Sequence, residues 1–288
     1  MSKKPVQKST STKPLFMWAG GKNKLIQKYL PLLPGGIDSY SEPFFGAGAM
    51  YIWVQENLKP KTCYINDINE DIIRIYRCIK SDPQRFIDNI KQYETIYLPL
   101  SKERRKAYYY EIRNKHAWEF DQWDDYKLAG TLYFLMKTGF NGIWQINKNT
   151  NNRFGTPSGL LNQKDSLFDY NNIIRWHELL QNTEIYSGDW KDCPTSDFNF
   201  YDPPYRDSFT NYGTGWGDTQ ATDLITTSLS TRGIVFICNR DDGTDWIERN
   251  SNGYYIHKFP ITYTAGRRKK EGDKFKAKPA TEVLLIKL

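Results

Sequence analysis

Asp202-Pro203-Pro204-Tyr205 directly follows the apolar run 198–201 and so sits at the carboxyl end of a predicted strand. Open α/β sheets hold their ligands at that edge. The residue types suit chemistry on an aromatic amine. The N6 amine of adenine is a poor nucleophile because its lone pair is delocalised into the ring. The Asp202 carboxylate and the Pro203 carbonyl can each accept one N–H hydrogen bond, which favours a pyramidal nitrogen. The two prolines fix φ and hold that carbonyl rigidly. Tyr205 offers a face for a base taken out of its helix, as enzymes acting on a base require. The rest of the catalysis is positioning for in-line transfer and needs no metal. Taken alone, the four residues also fit a Pro-Pro turn beside an incidental acid.

Two glycine-bearing runs stand upstream. Glu42-Pro43-Phe44-Phe45-Gly46-Ala47-Gly48 follows another predicted strand, and its spaced glycines let the backbone approach a ligand closely. It lacks the third glycine of a dinucleotide loop. Asp67 ends the next strand about twenty residues on, where an acid can accept hydrogen bonds from both ribose hydroxyls. A nucleoside ligand without phosphates, such as S-adenosylmethionine, needs this acid and a glycine turn. Trp18-Ala19-Gly20-Gly21-Lys22 opens the ordered chain, and Lys22 can pair with a ligand carboxylate; a basic turn capping the helix 25–30 is the plainer alternative.

The elements that position these residues alternate. Predicted strands lie at 37–41, 62–65, 184–186, 198–201, 234–238 and 281–288. Ile72, Ile75, Tyr76 and Ile79 recur with helical spacing behind Asn69 as N-cap. A more polar helix spans 219–231 and is closed by Gly233. Strands and helices in this order predict an α/β fold, a mostly parallel sheet with helices on both faces. The pattern breaks over 82–163, where two helices are predicted, one over 101–115 and one starting near Asp125, before a Gly- and Asn-rich piece at 139–159. That stretch reads as a mainly helical insert with a hairpin. Residues 1–13 read as a disordered basic tail.

Composition narrows the partners less than the motifs do. The formal charge of +7 is modest, but Arg267, Arg268, Lys269, Lys270, Lys274, Lys276 and Lys278 crowd one segment. Such a loop can neutralise phosphates, and it equally fits a solvated flexible loop. Four scattered cysteines without a C-x-x-C pair argue against zinc and disulfides and suit a reducing cytoplasm. His116, His177 and His257 share no metal-ligand spacing. No apolar run is long enough to span a membrane.

In order, the Trp18–Lys22 run, the Glu42–Gly48 run, Asn66-Asp67-Ile68-Asn69, a helical insert and Asp202-Pro203-Pro204-Tyr205 resemble the Dam-type DNA adenine-N6 methyltransferases of bacteria and phages. Phe140-Asn141-Gly142-Ile143 and Arg153-Phe154-Gly155-Thr156-Pro157-Ser158-Gly159 extend the likeness into the insert. The resemblance implies a Rossmann-like methyltransferase sheet, residues 14–81 and 164–288, with a target-recognition domain inserted at 82–163. It implies S-adenosylmethionine as cofactor and double-stranded DNA as partner, in a monomer or weak dimer. Trp18 and Lys22 would line the cofactor's amino-acid end, and Phe44, Gly46 and Gly48 the turn beneath it. Asp67 would hold the ribose, Ile68 would touch the adenine ring, and Asp189 and Trp190 would approach that ring from the other side. Asp202 would bond the target amine and approach the cofactor amino group, and Tyr205 would stack on the target. Lys137, Asn141, Gly142, Ile143 and Gln145 would reach DNA, with 141–145 as the hairpin that enters the groove.

Two departures bear on the target. Members reading GATC carry Lys where this chain has Met17 and Arg where it has Gln145. Arg is the usual bidentate partner of guanine, whereas Gln matches adenine N6 and N7. A target other than GATC is therefore expected. An inactive DNA-binding scaffold and a methyltransferase of RNA adenine remain the alternatives; intact Asp67, Asp202 and Tyr205 speak against the first.

Overall fold

The structure, a computed structural model, describes residues 11–18, 20, 22–159, 162, 165–206, 215–263, 269–271, 274–276 and 278–288. From the amino end run α1 (Asn23–Tyr29), β1 (Ser39–Glu42), α2 (Ala49–Asn57), β2 (Thr62–Asp67) and α3 (Glu70–Ser81). Then come α4 (Pro83–Tyr97), α5 (Lys102–Trp118), α6 (Asp125–Thr138) and a short hairpin of β3 (Ile146–Asn147) and β4 (Arg153–Phe154). The chain returns to the sheet through α7 (Tyr170–Leu179), β5 (Thr183–Ser187), β6 (Phe198–Tyr201), α8 (Asp218–Leu229), β7 (Ile234–Arg240) and α9 (Trp246–Asn250). It ends in β8 (Tyr255–Tyr263), β9 (Lys269–Glu271), β10 (Lys274–Lys276) and β11 (Lys278–Lys287).

Seven strands form one sheet in the order β5-β2-β1-β6-β7-β11-β8. The first five are parallel, and β11 runs antiparallel to both of its neighbours. The chain winds one way through β1, β2 and β5 and the other way through β6 and β7. The switch point, where such sheets open a crevice, is thus between β1 and β6, which pair with Tyr40 opposite Phe198. The residues that follow these two strands begin with Pro43 and Asp202.

Alternation along the strands divides the core between the two faces. Phe236, Cys238, Leu284 and Ile286 face α1, α2 and α3, while Val235, Ile237, Val283 and Leu285 face α8 and α9. The Asn69 side chain caps α3 by accepting from the Asp71 and Ile72 amides, and Ile72, Ile75, Tyr76 and Ile79 are fully buried. Burial of each such side chain stabilises by about 1.5–3 kcal/mol.

Several expectations are corrected. The stretch 82–163 contains three long helices: Pro83 opens α4, with Asp82 capping it through the Arg85 amide. Proline at the first helical position loses no hydrogen bond, so it marks a start here, not a break. α6 packs against α3 as well as α4 and α5, so the insert shares its core with the sheet. Asn141 and Gly142 lie in a short 3-10 turn with left-handed φ of 53° and 59°, and the hairpin comes after them, at 146–154. Gln145 adjoins that hairpin, its carbonyl accepting from the Gly155 amide at 2.7 Å. Residues 12 and 13, read as part of a disordered tail, are tied down. The Thr12 amide donates to Glu56, the Lys13 amide to Asn172, and the Lys13 carbonyl accepts from Asn172 and Trp176. Within the basic segment, β9 and β10 pair as a hairpin with Lys269 opposite Lys276, where a flexible loop was one reading. Arg267 and Arg268 lie outside the described residues. α7 and β8 are additions that the sequence patterns did not suggest.

Candidate active site

The turn after β1 is shaped by its glycines. Gly46 and Gly48 adopt φ of +50° and +66°, the left-handed region that L side chains avoid. A Cβ on Gly46 would lie 2.7 Å from the Trp18 indole, and one on Gly48 would lie 2.7 Å from the Phe45 ring. Trp18 therefore seats on the turn itself, with Trp144 of the insert 6.0 Å away.

Asp67 closes the turn from β2. Its Oδ2 accepts from the Gly46 amide at 2.8 Å and its Oδ1 from the Asn69 amide at 2.9 Å. Burial pushes its carboxyl up to about 6, against the two amides, Asn69 and Gly46, that favour the charged form. The neighbouring Ile68 is 48 % exposed, an apolar surface beside a buried acid. Asn66 laces the loops together by donating to the Pro43 and Gly188 carbonyls, both at 3.1 Å. Asp189 caps its own turn through the Lys191 amide. Trp190 stacks on Phe44 at 6.2 Å, and Phe44 also meets Tyr201 and Trp216.

After β6, Asp202 Oδ1 lies 2.7 Å from Lys22 Nζ, with the two side chains 20 % and 3 % exposed. Lys22 Nζ also donates to the Gly20 carbonyl. Burial works to discharge Lys22, but Asp202, then Cys238 and Glu282, hold its ammonium above the ordinary range. Burial likewise raises the Asp202 carboxyl, and Lys22 pulls it back. The ammonium lies 5.0 Å from the centre of the Tyr205 ring, whose hydroxyl donates to Glu282 Oε2 at 2.5 Å. Beyond the motif, Arg206 binds Asp218 at 2.7 Å and Asp242 at 2.9 Å and lies over Trp246.

The structure thus gathers Trp18, Gly46, Gly48 and Asp67 around one turn and Lys22, Asp202 and Tyr205 around another, across the switch point. Lys22 pairs with Asp202 here, where the sequence had suggested a ligand carboxylate. Phe44 and Trp190 sit together in an aromatic group with Tyr201 and Trp216. Lys137, in the last turn of α6, donates to the Leu15 carbonyl. Asn141, Ile143 and Gln145 are exposed, and Gly142 is buried against Met17, so the insert touches the residue just before Trp18. Sequence reasoning missed Glu282, Arg206 and the lacing role of Asn66. The signal for Glu282 was an acid inside an otherwise apolar strand.

Sheet order and crevice define a Rossmann-like α/β protein with its candidate site at the β1–β6 switch point. The family model for D12 class N6 adenine-specific DNA methyltransferases matches residues 18–258, and the chain belongs to that family. Among curated relatives, it is 29% identical over 263 residues to a Type II methyltransferase of Methanocaldococcus jannaschii, covering 85% of this chain and 90% of the relative. It is 27% identical to a Type II methyltransferase of Lactococcus lactis subsp. cremoris, with 89% and 90% covered. It is 30% identical to a DNA adenine methylase of Vibrio cholerae over 78% of this chain and 80% of the relative.

Proposed function

We propose that this pocket transfers a methyl group from S-adenosylmethionine to the N6 amine of an adenine flipped out of double-stranded DNA, at a target other than GATC. The observation that carries the reading is the Lys22–Asp202 pair beside Pro203 and Tyr205 at the switch-point edge. Asp202 and the Pro203 carbonyl accept the amine hydrogens, and Lys22 keeps Asp202 ionised so that it remains an acceptor. Pro204 stiffens the loop, and Tyr205 stacks on the base.

The donor set fits the cofactor. Asp67 is a buried carboxylate suited to two ribose hydroxyls, Ile68 an exposed apolar face for the adenine ring, and the Gly46–Gly48 turn a close backbone approach. Lys22 and Asp202 match the carboxylate and ammonium of its amino-acid end, with Trp18 alongside. Phe44, Asp189 and Trp190 border the adenine side. When bound, S-adenosylmethionine supplies the electrophilic methyl group.

Residues 82–163 would serve as the target-recognition domain and 14–81 with 164–288 as the catalytic domain, in a monomer or weak dimer. Lys137, Asn141, Gly142, Ile143 and Gln145 would face DNA. Gln145 in place of Arg, and Met17 in place of Lys, support an altered target, since both remove a guanine partner. Arg267, Arg268, Lys269 and Lys270 would neutralise phosphates, so replacing them should flatten the salt dependence of binding.

The test is single-molecule sequencing of DNA from cells expressing the protein beside an Asp202→Ala control. Methylated adenines in one motif, absent from the control, support the reading and supply the target; GATC as the dominant motif refutes the altered specificity. Methyl transfer to RNA alone, or DNA binding without cofactor binding, would put one of the alternatives in its place.

A further inference from the structure

Among the described residues, Glu282 is the one charged side chain at the fully buried positions of β11, where Val283, Leu284, Leu285 and Ile286 follow it, and it is itself 1 % exposed. A buried carboxylate costs several kcal/mol unless hydrogen bonds and opposite charges compensate. Among the described residues, groups of the pocket help compensate this one. Tyr205 donates its hydroxyl to Oε2 at 2.5 Å, and Glu282 acts electrostatically on Lys22. Arg240 is its cross-strand partner in β7, with its guanidinium 6.0 Å from the centre of the Tyr205 ring.

Topology explains how a residue 77 positions from Tyr205 comes to touch it. β11 inserts antiparallel beside β7, so its early residues stand at the carboxyl end of the parallel strands. Glu282 pairs with Arg240, three residues beyond Ile237, which pairs with Tyr201 at the end of β6. The acid therefore lies level with the loop that follows Asp202.

We propose that Glu282 is a positioning residue for methyl transfer, acting on the target base through Tyr205; this rests on the role given to Tyr205 above. Pro203 and Pro204 restrict the backbone ahead of Tyr205, but its ring keeps two torsions. A hydrogen bond at the far end of the ring removes that freedom. The face that receives the base is then set before the base arrives, which lowers the ordering required in the transition state.

The experiment measures single-turnover transfer of labelled methyl groups to duplex DNA carrying the mapped target. The proteins are wild type, Tyr205→Ala, Tyr205→Phe, Glu282→Ala, Glu282→Gln and the Tyr205→Phe/Glu282→Ala double variant, each checked by thermal melting. Glu282→Ala and Tyr205→Phe should each slow transfer about ten- to hundredfold, the range of a hydrogen bond to a charged group. Glu282→Gln keeps an acceptor and should stay within about threefold of wild type. The double variant should be no slower than the slower single variant, because both changes remove one bond. Multiplying penalties in the double variant, or a Gln variant as slow as the Ala variant, would overturn the proposal. If Glu282→Ala does not fold, Tyr205→Phe tests the bond from the other side, and a wild-type rate there overturns it equally. Undiminished transfer by Tyr205→Ala would instead sink the role of Tyr205 itself.

Discussion

Replacing Lys22 by Met removes an ammonium and leaves a side chain of similar length. In the protein the ammonium sits 2.7 Å from Asp202 with only 3 % of the side chain exposed. Removing one member of such a pair costs about 3–5 kcal/mol, because the other charge stays behind. Asp202 is 20 % exposed, so water reaches part of it and the lower end, about 3 kcal/mol, applies. In a chain of this size each kcal/mol corresponds to roughly 2–4 °C, giving a melting temperature about 6–12 °C lower. Adding Asp202→Asn should recover part of the loss, since a neutral amide strands no charge; Glu282 still loses the attraction of the Lys22 ammonium, so recovery is incomplete. pH adds a second reading. Without Lys22 the Asp202 carboxyl rises further, and a raised carboxyl contributes stability at low pH that is lost as pH climbs through it. The deficit of Lys22→Met should therefore be smaller at pH 5 than at pH 8. Calorimetry of wild type, Lys22→Met, Asp202→Asn and the double variant at both pH values decides the matter. A single variant melting within about 2 °C of wild type at pH 8, or a double variant showing the full sum of both losses, would refute the reasoning.

Other outcomes follow from the same geometry. In the proposed ribose role Asp67 must be ionised to accept from two hydroxyls, and its carboxyl is pushed up to about 6, so cofactor affinity should fall as pH drops through that value. Calorimetric titration between pH 5 and 8 would show this slope, and Asp67→Asn should abolish it. Gly46→Ala adds about 1–2 kcal/mol of left-handed strain and pushes its Cβ to 2.7 Å from Trp18. A lower melting temperature and a shifted tryptophan emission are expected. Trp176 is fully buried, stacked on Tyr51 at 5.7 Å and bonded to the Lys13 carbonyl. Its replacement by Ala should cost about 3–5 kcal/mol in urea unfolding.

What was legible in the sequence is what local pattern encodes. α3 could be read from Asn69 and the spacing of Ile72, Ile75, Tyr76 and Ile79, because cap and stripe lie within one short segment. The strand before Asp202 and the turn after Glu42 were legible for the same reason. α4 was hidden by Pro83, which reads as a breaker until its cap at Asp82 is seen. β8 was hidden by Pro260, a residue that a strand tolerates at a sheet edge, where β8 lies. Lys22 meeting Asp202 and Tyr205 meeting Glu282 depend on sheet order and strand direction. Neither is written in any window of the chain.

The position of β11 has a consequence for how the protein is made. Lys22 stands just ahead of α1, and Glu282 comes from β11. Synthesis runs from one to the other, and domains acquire structure as the chain emerges. Until residues 278–287 leave the ribosome, β7 presents an open apolar edge and β8 has no partner. The Tyr205–Glu282 bond therefore forms only once that strand has slid between β7 and β8.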